Sequence, residues 1–212
     1  MKKIYCISGL GSDERIFSRL SIPGRSLVHL KWITPLKEEP IGEYAERMAR
    51  QITTEDPVIL GVSFGGMMAI EIARIIPRAR VFLVSSVKSR KELPEWMKLS
   101  GSLKLNKLIP SKRGIWVHLG GNNFLGAESE EEIRLCDEYR RTVDPAYLRW
   151  AVGQVINWKN DWQPSQVYHL HGSKDKIFPL KKVSASHVIP GGGHFMIMNR
   201  AKEVSEIISQ LC

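Results

Sequence analysis

One serine of the sequence lies in a pattern that suits nucleophilic chemistry. Ser63 is the middle residue of Gly61-Val62-Ser63-Phe64-Gly65, with a short apolar run before it and an apolar helical pattern after it. Glycines on both sides of the serine permit a tight, strained turn that exposes the serine at its tip. A strand, a turn and a helix in this order form an elbow that carries nucleophilic serines. The alternative is a plain glycine-rich turn in which Ser63 only caps the helix.

A histidine that could act as the general base for this serine follows the last predicted strand. His194 lies in residues 190–195, where three consecutive glycines allow the loop to bring the imidazole over Ser63. Catalytic groups are commonly carried on loops, which favours His194, although His171 remains an alternative because it follows an earlier predicted strand. The other histidines lie in strands, near a strand start or in an insertion: His29, His169, His187 and His118.

The carboxylate best placed to orient that histidine is Asp175. It directly follows the strand predicted over residues 166–171, so it lies at the sheet edge to which the carboxyl ends of parallel strands point. Proteins with this strand–turn–helix elbow carry their serine, acid and histidine in the same chain order as Ser63, Asp175 and His194. Alternatively, Asp175 only caps amides of its own turn. The remaining aspartates precede strands, lie in the insertion or lie beside the first loop: Asp56, Asp161, Asp137, Asp144 and Asp13.

Alternating strands and helices must position these residues. Short apolar runs predict strands at residues 3–8, 26–33, 57–62, 80–85, 166–171 and 185–189. The sequence predicts a helical turn at residues 13–20, and apolar residues at helical spacing predict helices at residues 41–52, 65–76 and 202–211. This alternation predicts an α/β fold with a doubly wound, mostly parallel sheet of about six strands and helices on both faces. The connection over residues 176–184 is short for a parallel crossover, so its helix should be truncated.

Residues 87–162 break the alternation. They contain helical patterns and few convincing strands, and they leave from the carboxyl end of a predicted strand. We therefore expect a single domain over residues 1–212 in which this segment is a helical lid or cap insertion. Residues 148, 151, 152, 155 and 158 share one apolar helical face that could roof a pocket over Ser63. The alternative is that these apolar residues only extend the core.

Composition and charge narrow the classes of partner. The chain has 212 residues, 43% of them hydrophobic, and no apolar run long enough for a transmembrane helix. Its three cysteines are widely spaced, which favours a reducing compartment and predicts a cytoplasmic protein. The net charge of +9 would suit an anionic partner such as RNA or an acidic membrane, but no nucleic-acid-binding module is recognisable. A small-molecule substrate without nucleic acid is expected, and the oligomeric state stays open.

Together these motifs make the chain resemble the α/β-hydrolase family over residues 1–86 and 164–212. The resemblance rests on the serine pattern, Gly9-Leu10-Gly11-Ser12, His171-Gly172 with Asp175 and Pro179, and Gly193-His194. It implies a tetrahedral intermediate whose oxyanion is bound by the backbone amides of Leu10 and Phe64. Many family members carry His-Gly where this chain has Ser8-Gly9.

The chemistry expected from these residues is acyl transfer to water. His194 would deprotonate Ser63, an acyl-enzyme would form, and His194 would then activate water. Small or medium esters or thioesters fit this chemistry, and neither a metal ion nor an organic cofactor is implied. Two alternatives stay open, an acyltransferase that uses the same residues and a non-catalytic small-ligand-binding protein of the same fold.

Overall fold

The core of the fold is a six-stranded sheet in which all neighbouring strands are parallel. A computed structural model describes residues 2–103 and 121–212. The strands are β1 (Lys2–Ile7), β2 (Arg25–His29), β3 (Val58–Val62), β4 (Arg80–Val84), β5 (Val167–Gly172) and β6 (His187–Ile189). Their order across the sheet is β2-β1-β3-β4-β5-β6. The predicted parallel sheet is thereby confirmed.

Helices cover both faces of this sheet, as predicted. The α-helices are α1 (Ile41–Ala49), α2 (Phe64–Ile75), α3 (Glu95–Ser102), α4 (Asn122–Leu125), α5 (Glu130–Thr142), α6 (Pro145–Asn157), α7 (Met196–Asn199) and α8 (Ala201–Leu211). Side chains alternate along β1, so Tyr5 and Ile7 pack with α1, α2 and α6, whereas Ile4 and Cys6 pack with α5, α7 and α8. None of the helices in the described ranges is long and apolar enough to cross a membrane.

The strand order contains a switch point between β1 and β3. From β1 the chain moves outward to β2, and it then returns to the other side of β1 and continues outward from β3 to β6. Connections that leave β1 and β3 therefore go to opposite faces, and a crevice opens at the carboxyl ends of these two strands. Residues 9–12 follow β1 and Ser63 follows β3, so both lie at this crevice.

The segment between β4 and β5 is helical in its described parts. Residues 104–120 of the predicted insertion, including His118, lie outside the described residues. In α6, the predicted face is buried at Leu148 and Ala151. Trp158, which the sequence assigns to the same face, lies in the core, where its indole N–H donates a 2.7 Å hydrogen bond to Glu71 of α2.

The connection between β5 and β6 is as short as its sequence predicts. Its only helical part is one 3-10 turn, Leu180–Lys182. A full helix does not fit between two neighbouring parallel strands in so few residues, which explains the truncation. The short connection keeps the loop that contains Asp175 close to the loop that follows β6.

A buried histidine in β5 makes the stability of the fold depend on pH. His169 is 1% exposed, and neither of its ring nitrogens has a hydrogen-bond partner among the described residues. Burial, with a smaller contribution from the neighbouring His171 ring, lowers the pKa of His169 to about 3. The unfolded chain therefore takes up this proton first as the pH falls below about 6.5, and stability decreases with falling pH.

We expect the substitution His169→Phe to remove this part of the pH dependence. Between pH 7 and pH 5, the wild-type free energy of unfolding should fall by about 2 kcal/mol more than that of the variant. Urea unfolding of both proteins at the two pH values measures the difference. Equal losses in wild type and variant would show that His169 is not held neutral by the fold.

Candidate active site

The segment around Ser63 forms a strained turn between β3 and α2. Ser63 has φ 54° and ψ −120°, a left-handed backbone conformation that costs about 1–3 kcal/mol in a residue with a side chain. Although it precedes the first residue of α2, its side chain makes no capping hydrogen bond to the helix. The alternative of a simple helix cap is therefore not what the structure shows. The hydroxyl instead contacts the His194 ring.

Glycine is required on both sides of this turn because backbone atoms pass close to it. A Cβ atom on Gly61 would lie 2.4 Å from the carbonyl oxygen of Gly65, and one on Gly65 would lie 2.3 Å from the carbonyl oxygen of Ile7. Both contacts are with backbone atoms, which cannot rotate away. The glycines of the sequence pattern thus allow α2 to start directly against β1.

The substitution Gly65→Ala should destabilise the protein by about 3 kcal/mol or more, because the new methyl group overlaps the β1 backbone. Gly42→Ala is the matched control, since a Cβ atom there meets nothing within 4 Å and α1 gains a better helix former. The control should be neutral or more stable by up to about 1 kcal/mol. Urea unfolding measures both values, and similar changes in the two variants would contradict this account of the turn.

His194 connects Ser63 to Asp175. Its Nε2 atom lies 2.9 Å from the Ser63 hydroxyl oxygen, and its Nδ1 atom lies 2.8 Å from Oδ2 of Asp175. His194 is 7% exposed, and the Phe178 ring lies edge-on to its imidazole at 5.6 Å between centroids. With Nδ1–H donating to the carboxylate, Nε2 is left free to accept the serine proton. The structure thus brings together the three residues that the sequence selects.

Asp175 both contacts His194 and caps amides of its own turn, which are the two roles that the sequence leaves open. Its Oδ1 atom accepts hydrogen bonds from the backbone amides of Ile177 and Phe178, at 2.8 and 2.9 Å, while Oδ2 faces His194. Burial alone would raise the pKa of Asp175, but the His194 ring and the Phe178 amide hold this pKa below its ordinary value. The carboxylate is therefore charged at neutral pH and fixed in position by its own turn.

His171, the alternative base, lies inside β5 and not after it. Its side chain is fully buried, and its Nε2–H donates to the carbonyl oxygen of Phe178 at 2.7 Å. Its Nδ1 atom has no partner within the described parts of the chain. The nearest carboxylate oxygen is Oδ2 of Asp175, 3.6 Å from Nε2. His171 thus lies behind Asp175, and the serine contact belongs to His194.

The backbone amides of Leu10 and Phe64, which the resemblance assigns to oxyanion binding, lie beside the serine. Phe64 directly follows Ser63, and a Cβ atom on Gly9 would lie 3.5 Å from the Ser63 Cβ atom, which places the loop after β1 against the serine. Across residues 2–103 and 121–212, no acceptor is found for either amide. Within these two ranges, both donors are thus free for a ligand.

Three residues to which the sequence assigns no role support this turn and loop. The Ser86 hydroxyl donates to the carbonyl oxygen of Ser63 at 2.7 Å. The Trp32 indole N–H donates to the Ser8 hydroxyl oxygen at 2.9 Å, and this hydroxyl donates to the carbonyl oxygen of Ser12 at 2.7 Å. Their only sequence signal is position, since each directly or closely follows the carboxyl end of a strand.

The end of α4 is joined to the loop that carries His194. The amide of Phe195 donates to the carbonyl oxygen of Leu125 at 2.8 Å, and the Asn199 side chain donates to that of Gly126 at 2.8 Å. Gly126 has φ 76°, and a Cβ atom there would lie 3.0 Å from the Cα atom of Gly193. The end of α4 therefore supports the histidine loop through the backbone carbonyl groups of Leu125 and Gly126.

Proton transfer is the chemistry that this arrangement can perform. Ser63, His194 and Asp175 form a continuous path for one proton from an oxygen to an imidazole that a carboxylate stabilises. In the part of the chain that the structure describes, no three or more His, Cys, Asp or Glu side chains come together to hold a metal ion.

Comparison with known proteins gives a consistent family. Residues 9–207 match the model of the "Alpha/beta hydrolase family", whereas no curated protein matches the sequence. A protein from Acinetobacter baumannii AYE that is assigned to the lipases has a TM-score of 0.71 at 17% identity, over 99% of this chain and 83% of its own. A thermophilic esterase from Thermogutta terrifontis has a TM-score of 0.66 at 15% identity, over 100% and 89%.

A third solved structure shares the same fold. It is an N-acyl homoserine lactonase complexed with N-butanoyl homoserine, with a TM-score of 0.66 at 17% identity, over 100% of this chain and 88% of its own. At such identities the likeness concerns the fold, and the family model, which covers nearly the whole chain, shows the family. The chain therefore belongs to the alpha/beta hydrolase family.

Proposed function

We propose that this hydrolase cleaves small or medium esters or thioesters through an acyl-enzyme on Ser63. The observation that carries the proposal is the 2.9 Å contact between the Ser63 hydroxyl and Nε2 of His194, whose ring is held by Asp175. The solved structures with the same fold include proteins named as an esterase and a lactonase, both of which act on ester bonds. These names support ester chemistry for the present chain as well.

In the proposed mechanism, each proton has a defined path. Nε2 of His194 takes the hydroxyl proton as Oγ of Ser63 bonds to the carbonyl carbon, and the carbonyl π electrons move to oxygen. The amides of Leu10 and Phe64 donate to this oxyanion. His194 then protonates the leaving alkoxide or thiolate, a water molecule replaces the leaving group, and the same steps release the acid. Asp175 stabilises the imidazolium throughout.

Covalent labelling with a fluorophosphonate tests the proposed function directly. The activated serine should displace fluoride and gain the phosphonyl mass, whereas Ser63→Ala should gain none. Wild-type protein unfolded in urea is the control, because it keeps every serine but loses the arrangement around Ser63. Intact mass and peptide mapping read the result. No labelling of folded wild type, or equal labelling of Ser63→Ala, would refute the proposal and favour a non-catalytic binding protein.

We further propose that the helices between β4 and β5 act as the lid that sets acyl-chain preference. Trp150 of α6 is the residue that links them to the site. Its ring packs edge-on to Phe64 at 6.0 Å between centroids and against Tyr44 at 4.2 Å. Its indole N–H donates to the carbonyl oxygen of Glu39 at 2.7 Å, which fixes the ring beside the residue that follows Ser63. A fixed aromatic wall there limits the room for an acyl chain.

The substitution Trp150→Ala should shift the preference of the enzyme toward longer acyl chains. With nitrophenyl esters from acetate to palmitate, wild type should have its highest kcat/KM on a short or medium ester. The variant should gain on longer esters, by up to about 1–3 kcal/mol for each methylene that the enlarged site accepts. Trp96→Ala is the control, because Trp96 of α3 is 57% exposed. A palmitate optimum in wild type, or identical profiles for all three proteins, would contradict the proposed wall.

A further inference from the structure

We propose that Trp32 and Ser8 are positioning residues that hold the two oxyanion-binding amides in place. This inference rests on the proposed function, because it concerns the amides of Leu10 and Phe64 that would bind the oxyanion. Neither Trp32 nor Ser8 belongs to the motifs from which the family resemblance was drawn. The Trp32 side chain makes two independent contacts, one with each segment that carries an oxyanion-binding amide.

The first contact has a fixed direction. An indole nitrogen can only donate, so Ser8 Oγ accepts the 2.9 Å hydrogen bond from Trp32. The Ser8 hydroxyl is then oriented to donate its own hydrogen to the carbonyl oxygen of Ser12, at 2.7 Å. Ser8 is 4% exposed, so water competes little for these bonds. Trp32 therefore determines the orientation of the hydroxyl that fixes the end of the loop.

The loop that this hydroxyl fixes is a tight turn around Leu10. The Ser12 amide donates to the carbonyl oxygen of Gly9 at 3.2 Å, and the Ser12 hydroxyl donates to the same oxygen at 3.0 Å. These bonds use the groups at the two ends of the turn. The Leu10 amide lies in the middle of the turn, and no acceptor for it is found among the described residues. The direction of that amide is thus set by bonds that begin at Trp32.

The second contact reaches the other amide. The Trp32 ring stacks on the Phe64 ring with centroids 5.2 Å apart and planes 11° apart. Phe64 is 1% exposed and carries the amide next to Ser63. Tyr44 and Tyr147 pack against the Trp32 ring at 6.2 and 5.6 Å, which prevents its rotation. One indole thus joins the loop after β1 to the first residue of α2.

The two contacts of Trp32 matter because oxyanion binding depends on hydrogen-bond donors that are already in position. An amide that must reorient during the reaction loses much of its advantage, and loss of one donor lowers kcat about 10²- to 10³-fold. Removal of a support should have a smaller effect, because the amide remains but is misplaced for part of the time. We expect a 10- to 100-fold loss, on the order of that for a misplacement of about 1 Å.

Two small substitutions test the inference. Trp32→Phe keeps a ring on Phe64 but removes the N–H donor, and Ser8→Ala removes the shared hydroxyl. Each should lower kcat about 10- to 100-fold with KM changed less than about threefold, since only the transition state carries the oxyanion. The double variant should lose little more than the single ones, because both substitutions break the same chain of hydrogen bonds. Trp158→Phe, which removes a buried indole donor in the core, is the control and should keep wild-type kcat.

An alkyl trifluoromethyl ketone gives a readout that a general loss of stability would not change. Ser63 Oγ adds to its carbonyl carbon, the serine proton goes to His194, and the resulting hemiketal oxyanion needs both amides. Its affinity should fall in Trp32→Phe and Ser8→Ala by the same factor as kcat/KM. Fluorophosphonate labelling of wild type separates the two proposals. No labelling overturns both, whereas a labelled wild type with undiminished kcat and ketone affinity in Trp32→Phe and Ser8→Ala overturns this inference alone.

Discussion

Replacing His194 with alanine should lower kcat by roughly 10⁵- to 10⁶-fold, the largest effect we expect from any substitution that leaves the serine in place. The imidazole is the only group within hydrogen-bond distance of the Ser63 hydroxyl in the described structure. Without it, the serine proton has no acceptor and the leaving group has no donor. Because one group serves both steps, its loss is nearly as severe as loss of the nucleophile.

Initial rates and a burst of the first product measure this effect. His187→Ala provides a matched control. His187 is the first residue of β6, and two strands lie between β6 and β3 in the sheet. It pairs with Leu170 of β5, and no hydrogen bond among the described residues joins its side chain to Ser63, Asp175 or His194. Its kcat should stay within about threefold of wild type. Retained turnover in His194→Ala, together with loss of turnover in His171→Ala, would transfer the role of base to His171.

The substitution Asp175→Asn should lower kcat about 10⁴-fold. The amide oxygen can still accept from Ile177 and Phe178, so the turn keeps its shape. The amide NH₂ group, however, would face Nδ1 of His194 and favour the tautomer with its proton on Nε2. That nitrogen could then no longer accept the proton of Ser63. The loss therefore arises from the wrong tautomer and not from a displaced histidine.

The control for this substitution is Asp161→Asn, an exposed aspartate that precedes β5 and lies at the opposite end of that strand. It should leave kcat unchanged. Urea unfolding should show that Asp175→Asn remains folded at the assay temperature. If Asp175→Asn kept more than about a tenth of wild-type kcat, another acid would have to orient His194, and Asp137 and Asp144 would be tested next.

Ser63 and His194 were predictable because their positions depend on short-range features. Glycines beside Ser63 and before His194 are visible in the sequence, and each group of glycines lies at or just after the end of an apolar run that forms a strand. In a parallel sheet, residues after strand ends meet at one edge whatever their separation along the chain. The same rule selected Asp175 and excluded aspartates that precede strands.

The supporting residues were not predictable because their partners are set by tertiary packing. The predicted strand over residues 26–33 ends at His29, because the amides of Lys31 and Ile33 bond to the side chains of Gln51 and Tyr44 and not to a strand. The irregular segment that follows β2 directs Trp32 toward Ser8, 24 residues earlier. Apolar periodicity cannot reveal such side-chain acceptors.

The contacts between the end of α4 and the histidine loop limit how this protein can be remodelled. A recombination experiment that exchanges residues 87–162 for the segment of a relative would also exchange Leu125 and Gly126, which bond to Phe195 and Asn199. The incoming segment would need a backbone carbonyl in the position of the Leu125 carbonyl and a glycine in the position of Gly126. With the proposed role of α6 in acyl-chain preference, substrate range would diversify more readily through single substitutions along α6 than through exchange of the whole segment between β4 and β5.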